Sequence, residues 1–230
     1  LLVLVVVTAW LTWTQRAGLD PAAFRRSLPL KNPVAVALDG KGTLSVLDDK
    51  YFRILQIDQN GRVLRRLSVQ PHDSAHYEYW TDLAVDTDGA LYATNVVYFL
   101  EDETVDYEEI VRFPPRGASE VLYTLDHEGD EDTYDTRLLT LQIRDGWLYF
   151  DVRRDEKVEL LRLPLAGGPA QRVLDIPAAR EDVYNLAGTA AGSLWIGSYS
   201  GDRVYRLQSD GTLTDARLRP APALPGEPET

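Results

Sequence analysis

The chain has no cysteine among its 230 residues, which excludes both a disulfide framework and a thiolate metal site. It also has no methionine, not even at position 1, so we expect a processed chain or a fragment of a longer protein. Basic residues are scarce: 24 Lys and Arg stand against 36 Asp and Glu, and the formal net charge is -12. Because nucleic acids and anionic lipids attract basic surfaces, we expect neither nucleic acid binding nor electrostatic docking on a membrane.

The short motifs of common catalytic sites are missing as well. There is no Gly-x-Ser-x-Gly segment and no Walker glycine loop. Residues 72–76 resemble the His-Glu-x-x-His zinc signature, but Asp73 replaces the glutamate and the segment follows Pro71 without a helical apolar pattern. We therefore expect no metalloprotease. Solvent-exposed loop histidines are the favoured interpretation of His72 and His76, and a metal site completed by Asp135 is the alternative.

Long apolar runs are confined to the N-terminus, where residues 1–13 carry no charge. We expect residues 1–18 to be a signal-anchor segment, with Trp10 and Trp13 at the bilayer interface. The alternatives are the core of a cleavable signal peptide and a buried first strand of the domain. Residues 19–31 are read as a connector, and residues 219–230, which contain four prolines, as an exposed linker.

Four copies of one pattern recur in the rest of the chain, each marked by a glycine. A leucine follows two positions after the glycine, and an apolar residue follows two positions later. This alternation has the period of a β-strand, and a glycine suits the tight turn before it. The marker glycines are Gly42, Gly89, Gly146 and Gly192.

Each marked strand belongs to a unit of four predicted strands. One alternating segment precedes the glycine, and two more follow the marked strand, with a second glycine turn between them. A single four-stranded sheet cannot bury its apolar faces alone, so we expect an all-β propeller of four-stranded antiparallel blades. One large sandwich is the alternative. The predicted blades are residues 32–70, 79–125, 136–176 and 183–218.

The first unit resembles the NHL-type propeller repeat. Residues 33–39 read PVAVALD, residues 42–48 read GTLSVLD and residues 53–57 read RILQI, in the order of that repeat. The second unit keeps the pattern at residues 83–86 and 88–93. The resemblance, which spans about residues 32–218, implies a ring of usually six blades. Only four are visible, so we expect the ring to be truncated here, and a smaller closed ring is the alternative.

One face of such a propeller collects the chemistry-bearing side chains. The connections between blades lie on the same face as the loops that join the second and third strands. Histidines, loop acids and aromatic residues gather in these segments, so we expect this face to bind a ligand. The candidate ligand-binding residues are His72, Asp73, His76, Tyr79, Trp80, Asn95, Tyr98, His127, Asp135, Tyr184 and Tyr199.

Acidic residues alternate in the connection after the second unit, at Asp126, Glu128, Asp130 and Asp132. Calcium prefers about six to eight oxygen ligands, which such runs often supply. The spacing is not that of an EF-hand loop, because the sixth place has no glycine and the twelfth no glutamate. A plain acidic loop is therefore the favoured interpretation, and we expect no cofactor. A bound Ca²⁺ is the alternative, and these four residues are its candidate ligands.

These features together favour binding over catalysis. We expect a bacterial, membrane-tethered, extracytoplasmic propeller that serves as a ligand- or protein-binding, sensory module. The alternative is an enzyme similar to lactonase- or lyase-type propellers, in which carboxylates and an asparagine such as Asn95 hold a divalent ion in the central channel. A fold alone does not decide between these functions.

Overall fold

The computed structural model describes residues 30–69, 75–101, 104–127, 137–154, 157–176, 184–188, 193–198, 204–208 and 211–215. In these ranges the chain is all-β, with sixteen strands and a short 3₁₀ helix at Asp49–Tyr51. The strands are β1 Pro33–Leu38, β2 Leu44–Asp48, β3 Arg53–Ile57, β4 Val63–Ser68, β5 His76–Val85, β6 Leu91–Phe99, β7 Val105–Phe113, β8 Glu120–Asp126, β9 Arg137–Arg144, β10 Trp147–Arg154, β11 Lys157–Pro164, β12 Gln171–Ile176, β13 Tyr184–Gly188, β14 Leu194–Ser198, β15 Val204–Leu207 and β16 Leu213–Asp215.

The strands form four antiparallel sheets of four, each in simple sequence order. Blade 1 contains β1 to β4, blade 2 contains β5 to β8, blade 3 contains β9 to β12 and blade 4 contains β13 to β16. This is the four-bladed propeller arrangement that the glycine-marked repeat predicts, and it excludes the sandwich alternative. The first strands of successive blades contact each other, so the blades follow one another around an axis.

Apolar side chains fill the space between the blades. One buried cluster joins blades 1 and 2, from Ile54 to Trp80 and Phe113. A second joins blades 2 and 3 around Tyr92 and Phe150, and a third joins blades 3 and 4. Strands in the middle of the stack are therefore apolar on both faces, because each sheet packs against two neighbours.

The glycine turns explain why the repeat is visible in the sequence. In the turn before β2, the Asp39 carboxylate accepts the backbone N–H groups of Lys41 and Thr43, and Gly42 takes a positive φ of 84°. Asp86 and Gly89 repeat this turn before β6, with a φ of 86° at Gly89. A side chain is strained in that conformation, so the glycine marks each copy.

The strands of blade 2 are longer than predicted at the end away from the glycine turn. The predicted second blade starts at residue 79, whereas β5 begins at His76 and the β6–β7 hairpin extends to Phe99 and Val105. His76, which was predicted in a loop, therefore lies in β5 with Tyr79 and Trp80. Alternation of buried and exposed residues through this segment shows that it pairs as a strand.

Within the described ranges, the structure contains no helix with the length and apolar character that a membrane crossing requires. The predicted anchor at residues 1–18, most of the connector at 19–31 and the proline-rich linker at 219–230 lie outside those ranges. The membrane anchor therefore stays a prediction.

Candidate functional site

Exposed apolar side chains concentrate at one end of blades 1 and 2. We call this end the upper rim; it contains the loop between β2 and β3, the start of β5 and the β6–β7 turn. Tyr77 is 46% exposed and Tyr79 is 37% exposed. Eight large apolar residues are exposed in the described ranges, and the five at the upper rim are Tyr51, Tyr77, Tyr79, Phe99 and Leu100.

Pairing between β5 and β6 holds these aromatic rings in place. Tyr77 faces Tyr98 across the two strands, with ring centroids 6.3 Å apart. His76 packs on Phe99 at 5.1 Å. Burial raises the pKa of the Tyr77 phenol, and the nearby charge of Asp49 raises it further. The rim therefore combines aromatic surface with negative charge contributed by blade 1.

Three acidic residues lie in the segments of the upper rim. Asp49 lies in the 3₁₀ helix of blade 1, and its carboxylate accepts the backbone N–H of Trp80. Asp106 Oδ2 lies 3.2 Å from His76 Nε2. Glu101 is exposed beyond the end of β6. An electron-rich ring face beside carboxylates attracts cations, which defines the chemistry of this surface.

A buried polar group lies in the same blade, below the rim. The side-chain amide of Asn95 donates to Glu78 Oε2 and to Glu109 Oε1, each at 3.1 Å. All three residues are buried, with exposures of 0% for Glu78 and Asn95 and 2% for Glu109. Asn95 Oδ1 is also buried and has no hydrogen-bond partner. Two acids therefore converge on one amide inside the protein.

The opposite face of blade 2 carries another buried acid, Glu108. Glu108 Oε2 accepts the backbone N–H of Leu138 at 2.7 Å, which ties blade 2 to blade 3. His127 Nε2 lies 3.6 Å from Glu108 Oε1, and both side chains are almost fully buried. His127, which the sequence placed on the ligand-binding face, is therefore buried. It directly follows β8 and continues the alternation of that strand, since Leu125 is buried and Asp126 is exposed.

Two more carboxylates lie near the contact between blades 2 and 3. Asp82 Oδ2 accepts the backbone N–H of Leu141 at 2.7 Å, and Asp151 Oδ1 accepts both the N–H and the hydroxyl of Thr140. Burial raises the pKa of Asp82 to about 6, although the N–H groups of Leu141 and Leu83 act against it. Burial also raises the pKa of Asp151 to about 7, and the charge of Asp82 adds to that shift.

The structure divides the predicted site residues into three groups. His76, Tyr79 and Tyr98 lie at the upper rim. Trp80, Asn95 and His127 are buried, with exposures of 2%, 0% and 5%, so the structure corrects their placement on an open face. The role of these residues in ligand binding stays a prediction. The residues whose side chains lie outside the described part are His72, Asp73, Glu128, Asp130, Asp132, Asp135, Tyr184 and Tyr199. Of the calcium candidates only Asp126 is described, and it is exposed at the end of β8.

Sequence reasoning missed the buried acids. The candidate residues predicted from the sequence include none of Glu78, Asp82, Glu108, Glu109 and Asp151. A signal existed in the repeat itself, because Asn95 stands six positions after Gly89, as Asp48 stands six positions after Gly42. The strand pairing confirms this equivalence: β3 places Arg53 opposite Asp48, and β7 places Glu109 opposite Asn95.

No three His, Asp or Glu side chains converge on a metal position in the part of the chain that the structure describes. The set around Asn95 is different, because it joins two acids with an amide. A cavity of about 200 Å³ also opens between blades 1 and 2, lined in part by Val69, Trp80 and Phe113. Trp80 Nε1 is buried without a hydrogen-bond partner in this region.

Comparison with known proteins establishes the fold and no more. No family model matches the sequence, and no curated protein matches it. Solved structures do match. The chain is similar to one in a nidogen/laminin complex, with a TM-score of 0.53 and 16% identity over 78% of this chain and 61% of that one.

Two further similar structures are enzymes. A catalytically inactive virginiamycin B lyase from Staphylococcus aureus, solved with quinupristin, matches with a TM-score of 0.52 and 15% identity over 83% of this chain and 57% of the lyase. A gluconolactonase from Xanthomonas campestris matches with a TM-score of 0.51 and 21% identity over 78% of this chain and 60% of the gluconolactonase. The chain thus has an NHL-like propeller fold and spans less than two thirds of these three chains.

Proposed function

We propose that the chain is a binding module whose upper rim docks a cationic ligand, a protein or peptide segment that presents lysine or arginine side chains. The observation that carries this proposal is the cluster of exposed aromatic residues on blades 1 and 2. Five exposed apolar side chains at one rim form a patch of the kind that marks interaction sites on soluble proteins.

Charge at the rim selects the kind of partner. The chain has a formal net charge of -12, and Asp49 lies close enough to Tyr77 to raise its phenol pKa. The guanidinium of Arg53 already stacks on Tyr51 at 4.4 Å, which shows that this rim accommodates a cation over a ring. Tyr77 and Tyr79 are 46% and 37% exposed, and no guanidinium of the described residues lies over either ring.

Peptide binding tests this proposal. Fluorescein-labelled peptides rich in lysine and arginine are titrated with the protein, and acidic peptides of the same length serve as the ligand control. We expect binding of the basic peptides only, and at least about tenfold weaker binding by the double variant Y77A/Y79A, because two cation–π contacts are lost. Val121→Ala, an exposed apolar change on β8, is the matched control. Unchanged affinity in Y77A/Y79A would refute rim docking.

We also propose that the module is tethered to a bacterial membrane and faces the extracytoplasmic side. The uncharged run at residues 1–13 supports this proposal, together with Trp10 and Trp13 in its second half. Fusion of residues 1–31 to alkaline phosphatase tests it in bacteria. We expect phosphatase activity in the membrane fraction, because the reporter is active only after export. An inactive fusion, or activity confined to the soluble periplasm, would contradict tethering.

A metal-dependent lactonase- or lyase-like enzyme is the second candidate. The similar lyase and gluconolactonase structures share the fold, although identities of 15% and 21% carry no further than that. Asn95, the predicted ligand of a channel ion, is buried between blades and offers a substrate no access. Hydrolysis or ring opening of lactones with added Mg²⁺ or Ca²⁺ would favour the enzyme over the binding module.

A further inference from the structure

We propose that the outer edge of blade 2 binds an extended peptide segment of a partner protein. The segment adds to β8 as a fifth strand and inserts one apolar side chain between blades 1 and 2. Two observations carry this inference: an edge strand without internal charge, and a cavity beside the start of that strand. None of the five exposed rim residues lines the cavity, so the inference is independent of what binds the upper rim.

The outer strand of blade 2 is an exposed edge, because β8 pairs with β7 on one side only. Such an edge offers backbone groups to a further strand, and charged side chains or a very short edge normally discourage that pairing. β4 contains Arg65 and Arg66, β12 contains Arg172 and Asp175, and β16 has only three residues. In β8, positions 121–125 are uncharged. Among the outer strands that the structure describes, β8 is therefore the least protected.

The cavity of about 200 Å³ lies against the start of this strand. Its apolar lining comes from Val69, Trp80, Val111 and Phe113, and Val121, which also lines it, is 49% exposed. Pockets for whole small molecules measure about 300–1,000 Å³, whereas a cavity of about 150 Å³ holds one benzene ring. The volume therefore fits a single side chain the size of leucine or phenylalanine.

Contacts between blades 1 and 2 fix the walls of the cavity. Arg65 Nη2 donates to the carbonyl oxygen of Pro114 at 2.7 Å, which links β4 to the turn before β8. The rings of Trp80 and Phe113 pack with centroids 5.8 Å apart, and both residues belong to the buried cluster that joins the two blades. Because these walls are already ordered, insertion of a side chain costs little reorganisation.

The remaining lining selects the kind of occupant. Ser68, Ser119 and Glu120 also line the cavity, so polar groups lie beside the apolar wall. A peptide strand matches this combination, because its backbone extends the sheet while alternate side chains enter pockets. Glu120 and the net charge of -12 disfavour an acidic residue beside the anchor. We therefore expect an uncharged or basic segment with leucine or phenylalanine at the anchor position.

Uncharged peptides test the anchor separately from the rim. Acetylated, amidated heptapeptides of serine and threonine, which differ only at the fourth residue, are titrated with the protein in a calorimeter. We expect the leucine or phenylalanine peptide to bind, the alanine peptide to bind at least about tenfold more weakly, and the aspartate peptide not to bind, because burial of an apolar side chain is lost.

Edge variants locate the site. Val121→Lys should weaken binding of the leucine peptide at least about tenfold, because it places a charge at the cavity. Leu64→Lys is the matched control, since Leu64 is a similarly exposed apolar residue, at 56%, on the edge strand β4. The rim variant Y77A/Y79A should leave this binding unchanged. Equal losses in Val121→Lys and Leu64→Lys would refute the assignment to β8.

Hydrogen exchange shows whether the peptide adds as a strand. We expect the bound leucine peptide to slow exchange of backbone amides in residues 120–126 and to leave those of β4 and β12 unchanged. Absence of binding by both apolar peptides, equal binding of the alanine peptide, or slowed exchange only outside β8 would overturn the proposal. Protection of β8 that rises with protein concentration without peptide would assign the edge to a second copy of this chain and would also overturn it.

Discussion

Blades 1 and 2 differ in the groups that face each other at the same structural position: an acid opposite an arginine in blade 1, and an amide opposite an acid in blade 2. In blade 1, Asp48 is fully buried, and its Oδ2 accepts both Nε and Nη2 of Arg53 at 3.2 and 2.9 Å. Its Oδ1 accepts the backbone N–H groups of Lys31 and Asn32. In blade 2 the equivalent residue is Asn95, and the residue opposite it on the third strand is Glu109, an acid in place of the arginine.

The two positions differ in whether each buried side-chain oxygen has a hydrogen-bond donor. The acid of blade 1 is neutralised by a guanidinium and has a donor for each oxygen, so this position needs no external group. In blade 2 two acids converge on a neutral amide whose oxygen lacks a donor. The first arrangement fastens the start of the propeller, and the second places two acids around one buried amide.

The largest expected effect comes from breaking the blade 1 pair. Asp48→Ala should lower the free energy of unfolding by about 3–5 kcal/mol, because Arg53 keeps its charge with only 11% of its side chain exposed. Urea denaturation measures the loss. Glu120→Ala is the control: it breaks the exposed pair with Arg112 and should cost less than about 1 kcal/mol. Equal losses in the two variants would remove the distinction between a buried and an exposed pair.

The next effect concerns Asp151, a buried acid that has Asp82 nearby instead of an arginine. The pKa of Asp151 is raised from 3.8 to about 7, by burial first, so folding favours its protonated form. That contribution is complete below pH 4 and is lost as the pH rises through about 7. Asp151→Asn, which resembles the protonated form, should flatten the fall in unfolding free energy between pH 5 and 8 by roughly 1–3 kcal/mol.

Denaturation curves at several pH values measure this slope. Asp126→Asn, an exposed acid of blade 2, is the control and should leave the slope nearly unchanged. A slope in Asp151→Asn as steep as in the wild type would show that the buried carboxylates of blades 2 and 3 titrate in their usual range.

The smallest effect concerns the glycine turns before β2 and β6, which we expect to contribute equally to stability in blades 1 and 2. Gly42→Ala and Gly89→Ala should each cost about 1 kcal/mol, because both glycines have a positive φ. An added Cβ at Gly89 meets nothing, and at Gly42 it meets the flexible end of Gln59, which can move. Thermal unfolding of the two variants should give similar shifts, and a cost several times larger at one of them would contradict the equivalence.

The half of each blade that contains the glycine turns, which we call the lower half, was predictable from the sequence. Its turns depend on local chemistry, such as Asp39 or Asp86 followed three positions later by a glycine, and the strands that follow alternate with period 2. These local rules are enough to count the strands, to order them in each sheet and to predict the propeller.

The upper half was not predictable in the same way. Glu78, Glu108 and Glu109 resemble loop acids in a sequence, because whether a charged residue is buried depends on the neighbouring blades. Asn95 was expected on an open face, yet the extension of β5 to β7 encloses it. The rim residues Tyr79 and Tyr98 were identified because aromatic residues near a turn are visible without any knowledge of packing.

Urea denaturation of Asn95→Asp, which places an acid at the blade 2 position as in blade 1, tests the contrast between the two blades most directly. We predict a loss of about 3–5 kcal/mol in the free energy of unfolding at pH 7, because the new carboxylate would lie beside Glu78 and Glu109, which accept from the Asn95 amide at 3.1 Å. A variant as stable as the wild type would contradict the account.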